Sequence, residues 1–191
     1  VGIGSPSSGT APAFINSSTR INLTASDSGA GLDIIIYRID GGNWKTYSAP
    51  LNFTVAGAHP LEYRSLDNLG NAEAIQELQI FVDALAPSID WAFGSPNHGT
   101  APTYITSATA LTLTASDAGS GLARIWYSID QGAWAAYTTP LAFAMSGAHS
   151  VRYYAVDNLD HSTATVMFDV FVDDIAPSVF TAPGVTNGVI T

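Results

Sequence analysis

The chain has 191 residues, 47% hydrophobic and only 12% charged, with sixteen acidic against six basic side chains and a formal net charge of −10. That balance argues against nucleic acid as a partner, because phosphates must be neutralised by positive charge, and an anionic membrane surface would repel the chain. Without cysteine there is no disulfide framework and no thiolate metal site, and no apolar run is long enough for membrane insertion.

The sequence repeats itself. Gly4-Ser5-Pro6 returns as Gly94-Ser95-Pro96, Leu23-Thr24-Ala25-Ser26-Asp27 as Leu113-Thr114-Ala115-Ser116-Asp117, and Phe81-Val82-Asp83 as Phe171-Val172-Asp173. The offset is about 90 residues, the size of a small domain rather than of a solenoid turn.

The second copy is complete, and its elements follow in chain order. Residues 88–93 can form a first strand, and residues 94–102, rich in Gly, Pro, Ser and Asn, read as a loop. Residues 110–116 alternate Leu111, Leu113 and Ala115 with threonine and serine, the period of a half-buried strand. A tight loop over 117–121 leads to residues 124–130, with Ile125, Tyr127 and Ile129 inward, matching Ile35, Tyr37 and Ile39. Gln131-Gly132 and Gly41-Gly42 mark a hairpin beside Asp130 and Asp40. A short strand is expected over 140–143, and a longer one over 149–156 with Val151, Tyr153 and Ala155 on one face. After a turn at 157–161, the last strand, 165–172, points Val166, Phe168, Val170 and Val172 inward. No segment reads as a useful helix. The pattern predicts an all-β chain of tandem immunoglobulin-like, fibronectin III-like antiparallel β-sandwiches. The expected division is 1–85, a first repeat lacking its first strand segment; 86–176, a second repeat; and 177–191, the start of a third repeat or a strand donated to a neighbour. The mismatch between repeat frame and chain ends suggests a segment of a longer array.

The run Tyr37-Arg38-Ile39-Asp40-Gly41-Gly42-Asn43-Trp44, with Gly57-Ala58-His59, Asp67-Asn68-Leu69-Gly70-Asn71 and Asp83 before Ala86-Pro87, resembles the bacterial immunoglobulin-like (Big) repeats, and among them the OmpL47-type repeat. The resemblance spans nearly the whole chain, twice, and implies a surface or extracellular protein. The second copy departs from it at Asp160-His161, where the first has Gly70-Asn71.

Four acids keep their place in both copies: Asp27/Asp117, Asp40/Asp130, Asp67/Asp157 and Asp83/Asp173. Asp40 and Asp130 are explained by their hairpins. The others fall at strand ends that a sandwich can gather at one pole. Calcium takes about six to eight oxygen ligands. Asp27, Asp67, Asn68 and Asp83, with a loop carbonyl from 28–31, are one candidate metal set; Asp117, Asp157, Asn158 and Asp173 are its repeat. Resemblance to calcium-rigidified adhesin repeats implies the same ion. The alternative is that each Asp caps its own turn.

His59 and His149, each after Gly-Ala, read as structural, and His98 and His161 have no counterpart in the first copy. Neither a Gly-x-Ser-x-Gly motif nor a phosphate-binding glycine motif is present, so no catalytic residues are assigned and an enzyme is not expected. Trp44 with Tyr47, and Trp134 with Tyr137, would stack on sugar rings if exposed or close the core edge if packed. The expected function is a structural or adhesive segment of a secreted or cell-surface prokaryotic protein: a stalk, adhesin or extracellular filament. Its partners would be neighbouring repeats, identical subunits head-to-tail, or surface glycans and other cells. The alternative is a carbohydrate-binding accessory module of a secreted hydrolase.

Overall fold

The computed structural model describes residues 1–179. Branched and aromatic residues alternating with polar ones build strands throughout, and none of the described residues is helical. The first half contains β1 (Gly2–Ile3), β2 (Ser7–Ser8), β3 (Ala13–Ile15), β4 (Arg20–Asn22), β5 (Leu32–Ile39), β6 (Lys45–Thr46), β7 (Leu51–Asn52), β8 (Gly57–Asp67) and β9 (Gln76–Val82). The second contains β10 (Ser88–Phe93), β11 (Asn97–His98), β12 (Thr103–Ile105), β13 (Leu111–Ser116), β14 (Leu122–Ile129), β15 (Ala135–Ala136), β16 (Gly147–Asp157) and β17 (Val166–Val172).

Each half is a two-sheet sandwich. The first sets β1-β4-β7 against β2-β3-β9-β8-β5-β6, and the second sets β10-β13 against β11-β12-β17-β16-β14-β15. Pairing is antiparallel except where β3 runs parallel to β9 and β12 to β17. The chain is all-β, with the immunoglobulin-like, fibronectin III-like arrangement in tandem.

Each sandwich has its own core. Ile15, Ile21, Leu51, Leu61, Ile80 and Val82 fill the first; Leu111, Leu113, Ile125, Val151, Tyr153, Val170 and Val172 are among those filling the second. The inward sets expected for the long strands therefore point inward, with Tyr127, Ile129, Val166 and Phe168 packed on the second core. The hairpin between β14 and β15 has positive φ at Asp130 and Gln131 (51° and 60°), as Asp40 and Gly41 do in the first sandwich (53° and 66°). Two successive positive φ values give the twist of a type I′ turn.

Two short elements differ from expectation. Residues 94–102, expected as a loop, contain β11, and the chain then enters β12 alongside β17. The segment is held from within: the fully buried Thr109 donates its hydroxyl to the Pro96 carbonyl at 2.6 Å, as Thr19 does to Pro6 at 2.5 Å. The strand expected over 140–143 is reduced to one bridge, Leu111 to Leu141, although its counterpart β7 forms. The expected third repeat or donated strand over 177–191 falls largely on residues 180–191, outside the described residues.

Candidate functional site

The joint between the sandwiches brings together side chains from both. Asp83 follows β9, and its N–H continues the ladder by donating to the Ile15 carbonyl at 2.9 Å. Its carboxylate turns towards the second sandwich. Oδ2 accepts the Ser120 N–H at 2.7 Å and Oδ1 accepts the Leu85 N–H at 3.1 Å. Asp83 is only 3% exposed.

Ser120 is presented by the loop between β13 and β14. Asp117 shapes that loop by accepting the N–H groups of Gly119 and Gly121 at 3.1 and 2.7 Å. Asn158 clamps it from the turn after β16, donating its amide to the Ser120 and Gly121 carbonyls at 2.8 and 3.0 Å. In the same turn Asp157 accepts the Leu159 and His161 N–H groups at 2.8 Å each, and its other oxygen lies 2.7 Å from His161 Nδ1. Asp157 is 1% exposed. One potential ligand atom from each of Asp83, Asp157 and His161 lies within 4.8 Å of the other two, the one such trio of acidic or imidazole side chains among the described residues.

Burial pushes the Asp83 carboxyl up, but the N–H groups of Ser120 and Leu85, with His161 nearby, outweigh it and hold the group below the usual carboxylate range. The carboxylate therefore stays charged in a place that excludes water. Gly119 allows the approach, since a Cβ there would overlap the Asp83 carboxylate, whereas one at the equivalent Gly29 would lie 3.5 Å from Asp27.

The first sandwich repeats these turns without the joint. Asp27 accepts the Gly29 and Gly31 N–H groups at 3.0 and 2.8 Å. Asp67 accepts those of Leu69 and Asn71 and the Asn71 amide at 2.7–2.9 Å, and the Asn71 amide above all holds its carboxyl low. Asn68 donates to the Ala30 and Gly31 carbonyls. Leu69 is 78% exposed, whereas Leu159, at the same place in the second sandwich, is 1% exposed.

The sequence set Asp83 beside Asp27 and Asp67 of its own sandwich. The structure places it instead with Asp157 and His161 of the next one, because β9 leaves the first sandwich towards the second one's loops. Asp173 repeats the exit geometry, with its N–H on the Ile105 carbonyl and its side chain accepting the Ile175 N–H at 3.0 Å. Sequence reasoning missed Gly119, Ser120, Leu159 and His161. The substitution of Asn71 by His161, and of Ala30 by Ser120, was the available signal.

The donors suit calcium poorly. Asp27, Asp67, Asp117, Asp157 and Asp173 each turn an oxygen to N–H groups of their own turns, Asp83 accepts those of Leu85 and Ser120, and Asn68 and Asn158 turn N–H rather than oxygen towards their loops. The cross-joint trio includes an imidazole, whereas calcium selects oxygen.

The repeated histidines brace the hairpins. His59 Nδ1 lies 2.9 Å from Asp40, and His149 Nδ1 2.7 Å from Asp130; their Nε2 atoms meet the Val55 and Met145 carbonyls at 2.8 Å. Both ring nitrogens face acceptors, so only the imidazolium satisfies both. The aspartate bond chiefly raises each histidine's pKa above its ordinary value. Raised folded-state values give stability that is complete below the unfolded value near 6.5 and lost as pH rises through the folded one. The urea midpoint is therefore expected to fall as pH rises from about 6 through the raised imidazole range, and His59→Gln with His149→Gln should flatten that fall.

Trp44 and Trp134 lie on the outer faces of the six-stranded sheets. Trp44 is half-buried beneath Arg38 and Arg64, at 4.9 and 5.5 Å, and Trp134 is 39% exposed. Tyr47 and Tyr137 are the members of those pairs that pack on the cores.

No family model matches the chain, and no curated protein matches it. Among solved structures it is similar to the fibronectin(III)-like modules of CbhA from Clostridium thermocellum, at 13% identity over 95% of this chain and 99% of that one, with a TM-score of 0.43. It is also similar to the D00-D0 domain of intimin, at 18% identity over 87% of this chain and 98% of that one, with a TM-score of 0.33.

Proposed function

We propose that the chain is a structural or adhesive segment of a secreted or cell-surface prokaryotic protein, an OmpL47-type array whose joints hold successive sandwiches at a set angle. The observation carrying this reading is the Asp83 carboxylate, buried across the joint on the Ser120 N–H. A flexible linker would leave that group in water. Here it is bonded to both its own linker and the next sandwich, while the turn carrying Leu159 is closed over.

The Ser120 N–H on Asp83 crosses the joint, and Asp157 paired with His161 in the second sandwich lies beside that carboxylate. Calcium would have to displace these contacts to bind. Residual dipolar couplings and small-angle scattering, with and without EDTA, test the proposal. The expected result is one inter-domain orientation, unchanged by the chelator. Free reorientation of the sandwiches would overturn the rigid-joint reading, and an orientation lost only with EDTA would restore calcium to the joint. Antibody labelling of intact cells tests the surface placement.

A further inference from the structure

We propose that the outer face of the second sandwich's six-stranded sheet binds a largely neutral polysaccharide carrying occasional carboxylates. This goes beyond the spacer reading and does not depend on it. On that face Arg124, Trp126, Tyr154, Trp134 and Arg152 form a continuous strip. Trp126 and Tyr154 are register partners on β14 and β16. Tyr154 and Trp134 meet edge to face with centroids 4.9 Å apart. The Arg124 guanidinium lies 5.1 Å from the Trp126 ring and that of Arg152 lies 5.3 Å from the Trp134 ring.

The first sandwich shows what is unusual about this strip. There one of the two arginines on the same face is neutralised, Arg38 gripping Glu62 through two bonds of 2.7 Å, while Arg64 lies over Trp44 and makes no salt bridge among the described residues. In the second sandwich Ser128 stands where Arg38 does, and Arg152 where Glu62 does. The carboxylate is gone and a cation has replaced it. Trp126 and Tyr154 stand where the first sandwich has Ile36 and Arg64.

Neither Arg124 nor Arg152 makes a salt bridge among the described residues. Arg152 donates to the Ser128 hydroxyl at 3.0 Å, and its buried Nε, like that of Arg64, has no partner among the described residues. An acidic chain thus carries an aromatic strip whose two cations pair with no carboxylate among the described residues. Arginine's planar fork matches a carboxylate in two parallel bonds. Aromatic rings offer flat apolar surfaces for the C–H faces of sugars while their polar edges stay wet. Two cations in a chain of net charge −10 do not suit a densely charged polyphosphate, whose binding requires many neutralised phosphates. They suit a sugar polymer with sparse acid groups.

Native affinity electrophoresis of the whole chain through gels containing glucuronoxylan tests this. Retardation is expected with glucuronoxylan and is expected to vanish when its carboxyl groups are reduced to alcohols. Trp134→Ala and Arg152→Gln should each weaken it about tenfold, while Trp44→Ala, on the first sandwich, leaves it unchanged. Circular dichroism and thermal midpoints confirm that the variants fold. Absence of retardation, equal retardation by the carboxyl-reduced polymer, or unchanged retardation of both folded second-sandwich variants would overturn the proposal. So would preferential binding of single-stranded nucleic acid.

Discussion

Asp83→Ala is expected to free the joint while leaving both sandwiches folded. The substitution removes the acceptor of a buried Ser120 N–H, and a buried donor left unmatched costs about 1–3 kcal/mol. Neither core contains Asp83, so the loss falls on the orientation of the domains and on the coupling between them. Residual dipolar couplings should no longer fit one shared alignment tensor. Gly119→Ala reaches the same joint from the other side, since its new methyl would occupy the space of the Asp83 carboxylate. Made in the Asp83→Ala background, it should add little further cost, because the group it collides with is gone. That non-additivity is the signature of direct contact. Gly29→Ala is the control, for its methyl meets only Asp27, at 3.5 Å. If Gly119→Ala costs the same in both backgrounds, the close approach at the joint is wrong.

The long strands were legible because period two is a direct consequence of the pleat, and β14, β16 and β17 carry it over seven or more residues. Two-residue strands such as β11 and β15 have no period to read; partner strands and the buried Thr109 create them. The joint was half legible. Asp83 and Asp157 stood out because both copies have them. Their grouping did not, because comparing copies aligns Asp83 with Asp173 and Asp67 with Asp157, whereas the contact runs between non-equivalent positions of successive sandwiches. The same comparison set His161 aside for lacking a counterpart. At a joint the partners differ from one repeat to the next, so a residue without a counterpart is where specificity can reside. Leu69 and Leu159 carry the complementary lesson: identical residues in matching turns, one exposed and one buried, and only the second turn has Asp83 beside it.

That contrast sets up a second large effect. Asp157→Ala is expected to destabilise the second sandwich by about 3 kcal/mol, because the buried N–H groups of Leu159 and His161 lose their shared acceptor and His161 loses its carboxylate. Asp67→Ala removes the same local pattern from an exposed turn, where water replaces the missing acceptor, and its effect should be clearly smaller. Trp91, Trp126 and Trp134 all belong to the second sandwich and only Trp44 to the first, so urea unfolding followed by tryptophan fluorescence reports mainly on the domain expected to weaken. Asp157→Asn divides the effect. An asparagine oxygen can still accept the two N–H groups but carries no charge for His161. A midpoint close to wild type would assign the role of Asp157 to turn capping. One close to Asp157→Ala would assign it to the buried charge facing His161 and Asp83. Equal losses for Asp157→Ala and Asp67→Ala would mean that the burial of Asp157 beside Asp83 adds nothing, and the joint would then be a contact without energetic weight.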